Sequence, residues 1–137
     1  MGAKREVIMV ETPEVLAEKA AHLFSEIALG ADGHTASLFP GHAALGEQKK
    51  WVIPVTGGDP DVARLTMSFP VLNRARNVVF LVVGKEKARA VKSVLEDHDT
   101  RLPAVHVQPS TGSLIWILDR DAAFLLSKEM ISVSQSQ

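Results

Sequence analysis

The amino-acid sequence predicts an α/β domain whose mainly parallel sheet is flanked by helices. The first observation is VVFLVV at positions 78–83, a run of apolar, mostly β-branched residues that is typical of a strand buried on both faces. The second is that segments with strand character alternate with segments of helical periodicity along the chain. The third is the length of 137 residues, which suits a single domain, 1–137, with a substantial core.

The N-terminal part of the chain predicts a strand followed by a helix. EVIMV at positions 6–10 is short and β-branched, as strands are. Thr12 and Pro13 suit the N-cap and the first position of a helix. Apolar residues then recur at helical spacing, namely Leu16, Ala20, Leu23, Phe24 and Ile27. We expect Gly30 to end this helix.

Two further strands and a helical turn are predicted in the middle of the chain. WVIPVT at positions 51–56 has strand character, although Pro54 favours an edge or an irregular stretch. GGDPD at 57–61 is a turn, and RLTMSF at 64–69 is a second strand. A helical turn led by Pro70 follows.

The C-terminal third completes the alternation of strands and helices. Gly84 breaks the buried strand, and a helix is predicted over 85–96 with Ala88, Val91 and Leu95 on one side. SLIWIL at 113–118 is another apolar strand. Asp119 is then a suitable N-cap for a last helix.

Composition excludes several classes of function. The formal net charge of −1 gives no basic field for nucleic acid or an anionic membrane. The absence of cysteine excludes a disulfide scaffold, a thiolate zinc site and a cysteine nucleophile, and it fits a cytoplasmic location. No run approaches the ~18 apolar residues that span a bilayer. The basic N-terminus has too short an apolar stretch for a signal peptide.

The segment GADGHTASLFPG at positions 30–41 places an acid and a histidine in a glycine-rich loop. Asp32 lies two residues before His34, and a carboxylate beside an imidazole can fix its tautomer and raise its basicity. Gly30 and Gly33 let the backbone turn sharply and approach a ligand. A lone histidine is more often structural, so the residues alone leave both a general base and a structural His34 open.

Two groups of basic residues are candidates for binding an anion. Lys85 and Lys87 follow Gly84 at a strand-to-helix turn, where N–H groups and lysines suit phosphate. Arg64, Arg74 and Arg76 cluster in sequence, and arginine clamps phosphate or carboxylate. Solvated lysines and surface ion pairs explain the same residues equally well. We assign no metal ligands and no cofactor to the chain.

The segment GADGHTASLFPG resembles the signature of the 6-phosphogluconolactonases, which hydrolyse 6-phospho-glucono-δ-lactone in the pentose phosphate pathway. The related glucosamine-6-phosphate deaminases share Asp-Gly-His but continue with an IAFNEP type of ending, whereas TASLFPG is typical of the lactonases. The resemblance extends through RLTMSFPVLNRARNVVFLVVGKEKARAVKSVLE, LPAVHVQP and SLIWILDRDAA, and it includes residues 5–27. The resemblance covers nearly the whole chain, and it implies a Rossmann-like fold.

The resemblance also implies roles for particular residues. His34 corresponds to the base that activates water, with Asp32 as its orienting partner. Lys87, in its Gly-x-x-Lys turn, would help to hold the phosphate of the sugar-phosphate lactone, and we predict Gly33 and Arg64 as further substrate-binding residues. Such a reaction needs a base and stabilisation of the oxyanion, and it needs no metal.

The chain departs from the family pattern in one respect. The family carries a Ser-Gly-Gly-Ser-Thr-Pro phosphate loop, a strand ending in Asp-Glu-Arg and an apolar strand before the signature, and we expect all three to be absent between about 28 and 30. This predicts a truncated sheet with uncovered apolar surface and self-association through that surface. It also predicts lactonase activity that is weak or absent unless another chain completes the site. A non-catalytic remnant that binds sugar phosphate or acts as an assembly partner, and an amino-sugar phosphate isomerase or deaminase, are the alternatives.

Overall fold

A computed structural model of the chain describes residues 4–10, 26–58 and 60–132. In chain order, the main elements of this part are β1 (Lys4–Val10), β2 (Glu26–Ala28), β3 (Val52–Gly57), β4 (Val62–Met67), α1 (Phe69–Leu72), β5 (Asn77–Val82), α2 (Ala88–Leu95), β6 (Ser113–Asp119) and α3 (Lys128–Ser132). Short 3₁₀ helices lie at Ala43–Gly46, Lys85–Lys87 and Pro103–His106.

Four of the strands form a parallel sheet in the order β1-β6-β5-β2. Parallel pairing brings the carboxyl ends of the strands to one edge, so Val10, Ala28, Val82 and Asp119 all lie there. The loops that follow β2 and β5 therefore leave the sheet at the same edge, where ligands bind in open α/β sheets. The predicted mainly parallel sheet is confirmed.

The central strands β5 and β6 carry the core. Phe80 and Trp116 are fully buried neighbours whose rings stack with centroids 4.0 Å apart and an angle of 11° between their planes. Val91 and Leu95 of α2 are buried in the same apolar cluster. On the other face of the sheet, Val79 and Ile117 are also fully buried. Both faces of β5 and β6 are thus covered, as the apolar run at 78–83 predicted.

The approach to the signature loop differs from the prediction. Residues 11–25, which contain most of the predicted first helix, lie outside the described part of the chain. Ile27 was predicted to be helical, but it lies in β2, which pairs in parallel with β5 from Glu26–Val79 to Ala28–Leu81. Gly30 therefore does not end a helix. The expected absence of a strand before the signature is also wrong, because β2 occupies that position.

A physical reason accounts for β2. A buried central strand exposes unpaired N–H and C=O groups along its free edge, and pairing with a neighbour satisfies them. A short apolar run does not distinguish helix from strand by periodicity, so the pairing with β5 decides its conformation.

The elements after β5 are shorter than the predicted ones. The helix predicted over 85–96 begins as a 3₁₀ turn at Lys85–Lys87 and continues as α2. The helix predicted from Asp119 is wrong, since Asp119 is the last residue of β6 and the next helix, α3, begins at Lys128. The Asp119 side chain does cap a turn, because its Oδ1 accepts a hydrogen bond from the Ala122 N–H at 2.7 Å.

The antiparallel hairpin of β3 and β4 carries most of the exposed apolar surface that the structure describes. Its outward side chains include Trp51, Val52, Leu65 and Met67, of which Leu65 is 75% exposed. The uncovered apolar surface was predicted on the parallel sheet, but in the described part of the chain it lies mainly on this hairpin. None of the helices within the described ranges is long and apolar enough to cross a membrane.

Candidate active site

The signature loop is a tight turn that folds back on the end of β2. The Gly30 N–H donates to the His34 carbonyl at 2.8 Å, and the Gly33 N–H donates to the Gly30 carbonyl at 2.9 Å. Thr35 is completely buried, and its hydroxyl donates to the carbonyl of Ala28 at 3.1 Å. These bonds fix residues 30–35 against the carboxyl edge of the sheet.

Asp32 and His34 form a hydrogen-bonded pair within this turn. His34 Nδ1 lies 2.5 Å from Asp32 Oδ1, and the same oxygen accepts the His34 backbone N–H at 3.1 Å. Because an ionised carboxylate only accepts hydrogen bonds, the pair favours a proton on Nδ1 and leaves Nε2 unprotonated in the neutral ring. The His34 side chain is 33% exposed, so water can reach it.

The pair also changes the ionisation of Asp32. Partial burial opposes the charged form, but the hydrogen bonds from the His34 backbone and ring outweigh it and lower the pKa of Asp32 below its ordinary value. The ionised Asp32 side chain is therefore more stable in the folded protein than in the unfolded chain. Asp32 therefore stabilises the fold at pH values above its pKa in the unfolded chain. This contribution is lost as the pH falls through its lower pKa in the folded protein.

We expect the pKa of Asp32 in the folded protein to lie below the ordinary value of an aspartate. In His34→Ala the side-chain hydrogen bond is removed, so the midpoint should move upward. Following the Asp32 side-chain carboxyl carbon by NMR during acid titration measures both midpoints. Equal midpoints in the two proteins would show that the imidazole does not stabilise the carboxylate.

Glycine at position 30 makes room for the Asp32–His34 pair, and glycine at position 33 makes room for Leu102. A Cβ at Gly30 would overlap the His34 ring and lie 2.6 Å from Asp32 Oδ1. Gly33 has a φ of +78°, a conformation that other residues rarely adopt, and a Cβ there would lie 2.8 Å from the Leu102 Cβ. Gly30 thus allows close packing against His34, and Gly33 allows close packing of the loop against Leu102.

Phe39 joins His34 to the β3–β4 hairpin. Its ring centroid lies 5.0 Å from that of His34, with the planes inclined at 52°. The Phe39 ring also lies against Gly57 and Gly58, where added Cβ atoms would be 3.0 Å away. Arg64 holds this turn, since its Nε donates to the Gly57 carbonyl at 3.2 Å and its Nη2 to the Pro60 carbonyl at 3.1 Å. Arg64 thus lies at the turn that the Phe39 ring contacts.

Lys87 lies in the turn that follows β5, at the same edge of the sheet as the signature loop. Gly84 begins this turn with a φ of +101°, and its N–H is shared between both carboxylate oxygens of the buried Asp119 at 3.2 Å. Lys85 is directed elsewhere, with its Nζ 4.9 Å from the centroid of the Phe124 ring. In the described part of the chain, Lys87 is half-buried and makes no ion pair.

Sequence reasoning missed two residues of this neighbourhood. Phe39 stands in the quoted signature, but nothing in its spacing indicated a contact with a hairpin that begins 13 positions later, at Val52. Asp119 was interpreted only as a helix cap, whereas its carboxylate also holds Gly84.

Arg74, another of the predicted arginines, lies elsewhere. Arg74 lines a cleft of about 550 Å³ together with Phe69, Asn73 and His106, and neither His34 nor Lys87 lines it. The side chain of Asn73 is occupied, because its amide donates to the His106 carbonyl and accepts the Gln108 N–H. Within the described ranges, no group of three or more His, Asp or Glu side chains could hold a metal ion.

Comparisons with known proteins agree with this fold and site. A family model described as glucosamine-6-phosphate isomerases/6-phosphogluconolactonase matches residues 12–116. The 6-phosphogluconolactonase of Rattus norvegicus is 50% identical over 104 residues, which are 74% of this chain and 40% of that protein. The 6-phosphogluconolactonase of Homo sapiens is 48% identical over 103 residues, with the same coverage of 74% and 40%. The solved 6-phosphogluconolactonase from Trypanosoma brucei matches with a TM-score of 0.67 at 30% identity, over 83% of this chain and 52% of that one.

The chain therefore belongs to the glucosamine-6-phosphate isomerase/6-phosphogluconolactonase family, and its α/β fold is that of solved 6-phosphogluconolactonases. It spans about two fifths, 40%, of the length of the curated relatives named above.

Proposed function

We propose that the chain is a 6-phosphogluconolactonase-type hydrolase that converts 6-phospho-D-glucono-1,5-lactone to 6-phosphogluconate in the pentose phosphate pathway. The observation that carries the proposal is the His34–Asp32 pair, which occupies Nδ1 and leaves Nε2 without a protein partner in the described part of the chain. The relatives at 50% and 48% identity, both named 6-phosphogluconolactonase, support the substrate class.

In this proposal His34 Nε2 removes a proton from a water molecule as the water oxygen attacks C1 of the lactone. The carbonyl electrons move onto the oxygen and return as the bond from C1 to the ring oxygen breaks. The imidazolium then gives its proton to the departing ring oxygen, which becomes a hydroxyl group. Asp32 keeps the ring oriented and stabilises the imidazolium that forms during the reaction.

The remaining site residues bind the substrate in this proposal. Lys87 supplies a cation for the phosphate from the turn after β5, and Arg64 contacts the substrate from the β3–β4 turn. Gly33 contacts the substrate through its backbone, whose φ of +78° shapes the turn that carries His34. No cofactor takes part, and no nucleic acid or membrane is a partner.

The proposal extends to the location and assembly of the protein. We place it in the cytoplasm as one domain, 1–137, that lacks a family segment between about 28 and 30. The exposed hairpin residues Trp51, Val52, Leu65 and Met67 give the expected self-association a specific surface. Sedimentation velocity at increasing concentration tests this, and a monomer at all concentrations would remove it.

A non-catalytic sugar-phosphate binder is the second candidate, because the sequence lacks the Ser-Gly-Gly-Ser-Thr-Pro phosphate loop of the family pattern. Incubation of the purified chain with fresh 6-phospho-lactone, and separately with glucosamine 6-phosphate, distinguishes the candidates. We expect the lactone to disappear faster than in protein-free buffer, with the amino sugar unchanged. Binding of 6-phosphogluconate without turnover would support the second candidate, and release of ammonia would support a deaminase.

A further inference from the structure

We propose that Phe39 is a positioning residue for His34, and that the Gly57–Gly58 turn is the wall that holds Phe39 in place. The inference rests on the proposed function of His34 as the base. It assigns to the β3–β4 hairpin, which carries no part of the signature, a role in orienting the reactive ring.

The hydrogen bond to Asp32 does not by itself fix the His34 ring. One bond at Nδ1, 2.5 Å long, leaves the ring free to tilt about the direction of that bond. Phe39 supplies a second contact, with ring centroids 5.0 Å apart and planes inclined at 52°, a separation at which tilted aromatic pairs attract. The Gly30 backbone lies close on another side of the ring. Together these contacts define one direction for Nε2.

Phe39 is itself held between the loop and the hairpin. The preceding residue, Leu38, is completely buried, and the Phe39 carbonyl accepts the His42 N–H at 3.2 Å. The ring then meets the hairpin turn so closely that Cβ atoms added at Gly57 and Gly58 would lie 3.0 Å from its Cδ2 and Cζ atoms. Such a separation is shorter than ordinary van der Waals contact between carbon atoms.

Gly57 gives the clearest sign that this contact matters. Gly58 has a φ of +90°, so its backbone alone favours glycine. Gly57 is the last residue of β3 and is not among the residues with positive φ, so its backbone would accept other residues. Phe39 supplies both the nearest and the second-nearest atom to a Cβ at Gly57, at 3.0 and 3.2 Å. Among the described contacts, space for Phe39 is therefore the reason for glycine at this position.

Arg64 makes the wall rigid. Its guanidinium donates to the carbonyls of Gly57 and Pro60 and so ties the two sides of the hairpin turn together. A change in the turn is therefore transmitted to Phe39.

The test uses Gly57→Ala and Phe39→Leu, with Gly46→Ala as the matched control. Gly46 also lacks a positive φ, and a Cβ there would meet nothing within 4 Å.

In Gly57→Ala and in Phe39→Leu we expect the NMR shifts of the His34 ring protons to change. In Gly57→Ala the cross-peaks between the two rings should also weaken. We expect kcat on the lactone to fall about tenfold in both, with little change in KM, because misplacing a reacting group lowers the rate of chemistry. Gly46→Ala should match the wild type.

The double variant shows whether Gly57 acts through Phe39. In the Phe39→Leu background the smaller side chain leaves room for a methyl group, so Gly57→Ala should cause little further loss. Additive losses, unchanged His34 signals in Gly57→Ala, or equal changes in Gly46→Ala would each overturn the proposal. If Gly57→Ala does not fold, the conservative Phe39→Leu carries the test alone, and unchanged His34 signals there would overturn it.

The NMR readout separates this inference from the proposed function. His34 signals that respond as expected in a protein without lactonase activity would leave the positioning role standing and remove the proposed function. An active lactonase whose His34 signals and kcat stay unchanged in both variants would support the proposed function and remove the positioning role.

Discussion

Replacing His34 by Asn is expected to lower kcat on the phosphorylated lactone by about 10²- to 10⁴-fold, the range typical of a general base. Asn keeps a polar side chain but has no nitrogen that can take a proton from water. Because the change removes an interaction made only in the transition state, KM should change little. Initial rates of lactone loss, with the spontaneous rate in buffer subtracted, measure both constants.

His98→Asn is the matched control for this substitution. His98 is exposed and adopts a φ of +51°, a conformation that Asn tolerates, so the control makes the same chemical change away from the site. It should retain the wild-type rate. A His34→Asn protein as active as the His98→Asn protein would remove His34 from the mechanism.

Replacing Phe80 by Ala is expected to destabilise the protein by about 3–5 kcal/mol, the usual cost of deleting a buried aromatic ring. Phe80 is completely buried in the central strand β5 and stacks on Trp116, so its removal leaves a cavity beside the Trp116 ring in the main apolar core. A loss of this size is a large fraction of the roughly 5–15 kcal/mol that stabilises a typical domain. Urea unfolding followed by Trp fluorescence measures the free energy of unfolding.

Phe124→Ala provides the comparison for this prediction. Phe124 is 64% exposed, and its described ring contact is with Lys85, so its loss should cost less than about 1 kcal/mol. If the two variants unfold at equal urea concentrations, the Phe80–Trp116 stack is not the centre of the core.

The elements predicted correctly from sequence are those whose local pattern allows one conformation. The apolar run at 78–83 has no polar face, so it suits a strand covered on both sides, and β5 is such a strand. The segment that forms β2 has no such pattern, because three residues satisfy both helical and strand spacing. Pairing with β5 decides its conformation, and that pairing depends on residues about fifty positions away.

The contacts of the candidate site also divide into those that the local sequence predicts and those that it does not. Asp32 and His34 are two residues apart among glycines, so their hydrogen bond could be anticipated from local spacing. The contacts of Phe39 with Gly57 and Gly58 join segments about twenty positions apart, and they exist only because the hairpin folds back on the signature loop. Hydrophobic patterning indicates that a residue such as Phe39 packs, but it does not indicate against what.

The positions of the protons on the His34 ring test the central claim most directly. Long-range ¹H–¹⁵N correlation spectra distinguish a protonated ring nitrogen from an unprotonated one. At a pH where the ring is neutral, we expect the proton on Nδ1, facing Asp32 Oδ1, and an unprotonated Nε2. In Asp32→Asn this preference should weaken, since the amide can donate as well as accept. A wild-type ring that carries its proton on Nε2 would contradict the account, because that nitrogen could not then accept a proton from water.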